Sequence, residues 1–226
     1  MKQYAVIVAG GSGTRMGGGI PKQFRSLCGR PLLWWSMKAF HDENPQTEII
    51  LVLPADFIDL WNDFFSSLPK EAHIPHKITV GGNTRSESVC NGLKYVEEDD
   101  SLVAIHDGAR PLVGVGMISE GWEAAKISGA AIPVVSVTDS LRKISDDDSI
   151  AVNRSEYVAV QTPQMFHTDK LKKAYAFANG ASFTDDASVM ENAGFKISLY
   201  KGDFSNMKVT NPNDLVIATI LMDKNA

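Results

Sequence analysis

The chain has 226 residues, 44% of them hydrophobic, and a formal net charge of −5. That length supports one large domain, or a domain with an appendage. The acid excess offers no basic field for nucleic acid, so any recognition of phosphate must be local. The longest late apolar run, residues 215–222, is too short to span a bilayer, and the first is cut off by glycines before it could serve as a signal peptide. Cys28 and Cys90 match no metal-ligand spacing and read as buried small apolar residues in a reducing cytoplasm.

The apolar run over residues 4–9 reads as a buried parallel strand. Six glycines follow within residues 10–19, and Arg15 and Lys22 are spaced through the same loop. Glycine leaves the backbone open to close approach and tolerates positive φ, so successive N–H groups can converge into an anion-binding nest. Fixed cations in such a loop suit a polyphosphate, since a charge contact near the surface is worth up to about 4 kcal/mol before desolvation. No glycine is followed by Lys, which excludes a P-loop. Met16 stands where a dinucleotide fingerprint needs its third glycine, and the acid expected at the tip of the second strand is missing. What remains is A-G-G-x-G-x-R-M-G-x(3)-P-K-Q, which looks like the signature loop of sugar-phosphate nucleotidylyltransferases.

Further along, residues 31–40 read as a helix with Pro31 in its first turn, and residues 48–53 as a strand. Asp56 is the expected N-cap of an amphipathic helix to residue 68, and Thr84 of a helix to about residue 97, with a short strand over 77–80 between them. A strand over 102–106, a helix over 115–128 and a strand over 130–135 continue the alternation. Such a rhythm implies a largely parallel sheet covered on both faces, with ligands at the carboxyl ends of its strands. Residues 10–22, Gly81-Gly82 and Asp107 then share one rim.

The rhythm breaks at residues 137–160, where two extended segments, 137–145 and 151–160, flank Asp146-Asp147-Asp148-Ser149. This reads as a hairpin arm with a solvated tip, too poor in apolar residues to form a domain alone and suited to packing on a second subunit. The expected organisation is one α/β domain, residues 1–136 and 161–226, with the arm between. After Thr162-Pro163-Gln164 come a helix capped by Thr168 and another capped by Thr184, with Asp185 and Asp186 in its first turn. A strand over 196–200 follows, then a last helix with Asn211 as cap, Pro212 first and Asp214 in the capping-box slot. Asp185 and Asp186 read as helix-start acids rather than metal ligands. His106 reads as a packed or hydrogen-bonded residue rather than half of a His–Asp dyad, and Trp34-Trp35 as core or interface.

The glycine loop with Pro21-Lys22-Gln23, Gly81-Gly82 with Arg85 and Ser88, His106-Asp107-Gly108-Ala109-Arg110-Pro111, Asn153-Arg154, Thr162-Pro163-Gln164 and Asn206-Met207-Lys208-Val209-Thr210 occur in this order. As a set, from residue 5 to about 221, they resemble the 2-C-methyl-D-erythritol 4-phosphate cytidylyltransferases of the non-mevalonate isoprenoid pathway. The resemblance implies a Rossmann-like, mostly parallel α/β sheet of the nucleotide-diphospho-sugar transferase type, with a protruding β-arm that makes a homodimer. It also implies CMP transfer from CTP to the phosphomonoester, with Mg²⁺ carried mainly by the CTP phosphates.

Residue by residue, the resemblance assigns Ala9, Gly10, Gly11 and Gly13 to backbone contacts with CTP, and Arg15 and Lys22 to its phosphates and the transition state. Gly82, Asn83 and Ser88 would read the base and its surroundings. Asp107 and Gly108 would lie by the metal–triphosphate, Asp107 as the one metal ligand and as a group that helps orient the acceptor. Arg110, Lys208, Ser140 and Thr162 would hold the acceptor, with Lys208 catalytic, and Arg154 would reach it from the other subunit. Asn83, Ser140, Asn153 and Ser205 depart from the family pattern, which bears on fine specificity. A ribitol 5-phosphate cytidylyltransferase is the nearest rival reading, and a catalytically silent nucleotide-binding protein the rival of another class. Thr184-Asp185-Asp186-Ala187-Ser188 and Gly108-Ala109 favour the first reading.

Overall fold

The computed structural model describes residues 1–9, 20–146, 148–178 and 183–223. Gly10, Gly11, Gly13 and Arg15 therefore lie outside the described residues. The chain opens with β1 (Lys2–Val8), the small hairpin β2 (Ser26–Leu27) and β3 (Arg30–Pro31), and α1 (Leu32–Glu43). Then come β4 (Glu48–Leu53), α2 (Ile58–Ser67), β5 (His76–Val80), α3 (Arg85–Leu93), β6 (Ser101–Asp107), α4 (Val115–Ser128) and β7 (Ala130–Ser136). The last third holds β8 (Leu141–Ser145), β9 (Asp148–Val152), β10 (Val158–Val160), β11 (Gln164–His167), α5 (Thr168–Ala178), α6 (Asp186–Asn192), β12 (Ser198–Lys201) and α7 (Pro212–Asp223).

Eight strands form one sheet in the order β10-β7-β11-β6-β1-β4-β5, with β12 also on β7. The β6-β1-β4-β5 half is parallel throughout, while β10 and β11 run antiparallel to their neighbours. Alternation along the central strands sorts the core onto two faces. Ala5, Ile7, Ile49, Leu51 and Ala104 face the layer containing Trp34, Trp61 and Trp122 from α1, α2 and α4. Tyr4, Val6, Ile50, Val52 and Val103 face the layer containing Val89, Leu171 and Met190 from α3, α5 and α6. The Rossmann-like α/β expectation holds.

Several local expectations are corrected. Pro54 opens a 3₁₀ turn over Ala55–Phe57, so Asp56 caps nothing and α2 starts at Ile58. Thr84 does cap α3, accepting from Glu87 N, but the helix stops at Leu93. The four acids Glu97, Glu98, Asp99 and Asp100 lie just beyond, where the negative end of the helix dipole disfavours them. Asp185, not Thr184, caps α6. The antiparallel β11 between β6 and β7 is only four residues long and leaves no pattern in the sequence. The hairpin is β8–β9 alone, because β10 returns to pair with β7. Cys28 is exposed, with φ 47° beside Gly29 at φ 79° in the turn joining β2 to β3, where both central residues of a tight hairpin take positive φ.

One packing detail is sensitive to pH. Trp61 is fully buried, and its indole N–H donates to His76 Nε2 at 2.9 Å, while His76 Nδ1 lies 2.7 Å from the Ile74 carbonyl. This pattern needs a neutral imidazole with its proton on Nδ1. Burial lowers the His76 pKa from the ordinary 6.5. The unfolded chain therefore takes up the proton first as pH falls, and the native state loses this contribution below about 6.5. Thermal unfolding followed between pH 8 and 5 should show a falling midpoint, with a shallower slope for His76→Gln, which can still accept from Trp61.

Candidate active site

The site is built on the carboxyl ends of the central strands, where the ladder continues by one rung into the loops. Ala9 N donates to Val52 O at 2.9 Å, Gly81 N to Leu53 O at 2.8 Å and Gly108 N to Val8 O at 3.0 Å. These bonds place Ala9, Gly81 and Gly108, where three loops begin, on one rim, as the strand pattern predicts for Gly81 and Asp107; residues 10–19 lie outside the described residues. Gly108 is packed too closely for a side chain: a Cβ there would lie 2.9 Å from Leu33 and 3.3 Å from Ala9 Cβ. Gly82 is similarly constrained, since a Cβ would meet Glu87 Cβ at 2.2 Å.

Asp107, the last residue of β6, stands at the centre. Lys208 Nζ lies 2.8 Å from its carboxylate, Arg110 Nε 3.5 Å and Arg85 Nε 3.7 Å. Burial by itself would raise the pKa of this carboxyl, but Lys208, followed by Arg85 and Arg110, holds it well below the usual carboxylate range. Arg85 is anchored from behind. Its Nη2 lies 2.6 Å from Oδ2 of the fully buried Asp186, whose Oδ1 accepts from Tyr175 at 2.6 Å. The Asp186 and Ala187 backbone N–H groups donate to Gln164 Oε1, and Gln164 Nε2 donates to Asp185. Start-of-helix acids were legible in the sequence; a buried ion pair reaching 101 residues back to Arg85 was not.

Two cavities meet at this cluster. One, of about 420 Å³, is lined by Val8, Ala9, Lys22, Gln23, Asn83, Thr84, Ser88 and Ala109. The other, of about 680 Å³, is lined by Arg110, Thr162, Gln164, Asp185 and Ser188 among others. Arg85, Asp107 and Lys208 line both. Lys22 begins a 3₁₀ turn, and the buried Gln23 beside it donates through Nε2 to the Ala9 carbonyl, tying that turn to the end of β1. The Ser88 hydroxyl donates to Thr84 O at 2.9 Å and accepts from Gly82 N at 3.0 Å, so it shapes the Gly81–Gly82 turn.

Ser140 and Arg154 are exposed on the arm and line neither cavity; Arg154 donates to the Thr138 carbonyl. His106 makes no dyad with Asp107. It is fully buried, and burial lowers its pKa to about 4, so the ring is neutral. Trp34 and Trp35 donate to the Ala72 and Leu27 carbonyls and pack edge to face, as core residues do. Among the described residues no group of three or more His, Cys, Asp or Glu could hold a metal ion. The carboxylate aimed into both cavities, Asp107, is already shared by three cations, a donor set that fits only a metal whose other ligands come with a substrate.

Comparison with known proteins places these features. The family model described as 2-C-methyl-D-erythritol 4-phosphate cytidylyltransferase matches residues 3–224. A protein of that description from Bacteroides thetaiotaomicron is 43% identical over 224 residues, covering 98% of this chain and all of the relative. One from Caldanaerobacter subterraneus is 39% identical, covering 99% of this chain and all of the relative. A crystal structure of 2-C-methyl-D-erythritol 4-phosphate cytidylyltransferase from Thermus thermophilus superposes with a TM-score of 0.80 at 34% identity, covering 98% of both chains.

The buried Arg85–Asp186 pair makes a measurable demand on stability. Asp186→Ala leaves the Tyr175 hydroxyl without its acceptor and Arg85 with only the longer contact to Asp107, and should cost about 1–3 kcal/mol in denaturant unfolding. Lys173→Ala, which breaks an exposed pair with Asp169, should change stability by less than about 1 kcal/mol.

Proposed function

The chain belongs to the 2-C-methyl-D-erythritol 4-phosphate cytidylyltransferase family, and from that premise we propose how its residues divide the reaction. The enzyme is a nucleotidyltransferase that transfers CMP from CTP to 2-C-methyl-D-erythritol 4-phosphate, a step of the non-mevalonate route to isoprenoid precursors. An oxygen of the acceptor phosphate forms a bond to the α-phosphorus of CTP, the bond from that phosphorus to the α,β-bridging oxygen breaks, and pyrophosphate leaves with the electron pair. The attacking oxygen is already anionic, so the protein supplies alignment and charge rather than a nucleophile or a base.

The observation that carries this division is the pair of cavities sharing Arg85, Asp107 and Lys208. The smaller takes the nucleotide, with Lys22 on its phosphates and the Gly82–Asn83 turn, backed by Ser88, against the base. The larger takes the polyol phosphate, held by Arg110, Thr162 and Lys208. The N–H groups of Ala9 and Gly108 are already bonded to Val52 and Val8, and the Ala9 carbonyl to Gln23. The amides that grip the triphosphate therefore fall to residues 10–19, including Gly10, Gly11 and Gly13, with Arg15 as their cation. Mg²⁺, when bound, arrives on the CTP phosphates and neutralises part of their charge, with Asp107 as its one protein ligand.

The arm is assigned to dimerisation. Ile144 and Ile150 are exposed on it, as are Val158 and Val160 on the adjoining edge strand, and a second copy of the chain would cover them. Arg154, and Ser140 near it, would then serve acceptor binding across that interface. The free thiols Cys28 and Cys90 suit the proposed location in the cytoplasm.

Pyrophosphate release from CTP with each acceptor tests the substrate reading. Methylerythritol phosphate should turn over far faster than ribitol 5-phosphate, and the reverse order would overturn it. Lys22→Ala should lower kcat by about 10²–10³-fold with the fold intact; near-normal turnover would remove Lys22 from the reaction. Arg154→Ala should raise KM for the acceptor and leave KM for CTP unchanged. Mixing its subunits with Asp107→Ala subunits should restore activity, because each mixed dimer then contains one unaltered site. No gain on mixing would refute a site shared between subunits.

A further inference from the structure

His106 takes no part in the division of roles above, yet its ring joins two of the residues given to the acceptor. Its Nδ1 lies 3.2 Å from Thr162 Oγ1, and its Nε2 lies 3.2 Å from the Arg110 carbonyl. Thr162 Oγ1 also accepts the Asp107 N–H at 3.1 Å. The Arg110 carbonyl can only accept, so the proton of the neutral ring sits on Nε2 and Nδ1 accepts from the Thr162 hydroxyl. One imidazole thus sets the direction of the Thr162 hydroxyl and braces the turn Asp107–Arg110, which is closed by Arg110 N to Asp107 O at 3.0 Å.

The same turn registers the segment that carries Lys208. Val209 N donates to Ala109 O at 2.9 Å, and Arg110 Nη1 donates to Asn206 O at 2.8 Å. Asn206 Nδ2 in turn donates to Thr162 O at 2.9 Å, closing a ring of contacts above the imidazole. Below it the ring of Phe40 packs edge-on at 5.5 Å. No solvent reaches His106, so nothing else can replace either hydrogen bond.

We propose that His106 is a positioning residue for the acceptor: through Thr162 and the Arg110 carbonyl it holds the phosphomonoester side of the site in register with Asp107 and Lys208, while the nucleotide side is built without it. This rests on the assignment of the larger cavity to the acceptor.

Four single variants, three at His106 and Thr162→Val, and the His106→Phe/Thr162→Val double variant test it in the full-length protein, with KM for CTP, KM for methylerythritol phosphate, kcat and thermal unfolding measured for each. His106→Phe keeps the ring volume and loses both bonds. His106→Asn places an amide oxygen where Nδ1 was, and His106→Gln an amide nitrogen where Nε2 was, so each keeps one. His106→Phe should raise KM for the acceptor about tenfold and leave KM for CTP within about twofold, with Asn and Gln falling between it and the wild type. Combining His106→Phe with Thr162→Val should raise the acceptor KM by less than the product of the two single effects, because the changes share the His106–Thr162 link although each also removes a contact of its own.

Equal rises in both KM values, or acceptor KM values within about twofold of the wild type for all three His106 variants, would overturn the proposal, as would full additivity in the double variant. If His106→Phe does not fold, the Asn and Gln variants decide the question by the same two KM values. Failure of the underlying reading shows separately, as wild-type protein that does not turn over methylerythritol phosphate.

Discussion

The ion pair between Asp107 and Lys208 is the contact on which the arrangement of this molecule depends. Lys208 comes from the segment before the last helix, Arg85 from the start of α3 and Arg110 from the turn after β6, and the Asp107 carboxylate pairs with all three. Without it, three like charges would face one another across a few ångströms. With it, they form a cationic edge that opens into two cavities. The carboxylate owes its place to the parallel sheet, because the C-terminal end of β6 lies directly beside that of β1.

Around this centre the groups are graded by burial. Asp186 and Tyr175 sit behind Arg85 and out of solvent, fixing a guanidinium that no substrate needs to displace. Lys208 is 42% exposed in its side chain and lines both cavities. A buried rear and an exposed front suit phosphoryl chemistry, in which charge must meet charge developing on the substrate without the whole site reorganising. Gln23 performs a comparable service for Lys22, by tying its turn to the Ala9 carbonyl.

Much of the fold is legible in the sequence because continuous apolar runs such as residues 48–53 and glycine-bounded helices are local signals. The residues that surround the site are legible as an ordered set of motifs, since phosphate handling constrains residue type strongly. What escapes the sequence is non-local or short. The strand β11 is four residues long, and its place between β6 and β7 is set by pairing rather than by pattern. Arg85 appears in a motif without a role, because its partner Asp186 is remote in the chain. The family resemblance assigns Ser88 to the base, while its hydroxyl is committed to Thr84 and Gly82. The arm looks longer in the sequence than it is, because residues 158–160 are equally extended whether they leave the sheet or rejoin it.

The central claim is that two phosphates meet at the edge formed by Arg85, Asp107 and Lys208. A crystal structure of the protein with CTP and magnesium tests it most directly. The account predicts the cytosine against the Gly82–Asn83 turn, the triphosphate between Lys22 and residues 10–19, and the α-phosphorus facing Lys208 across the junction. A nucleotide seated in the larger cavity, or an α-phosphate turned away from Lys208, would contradict it.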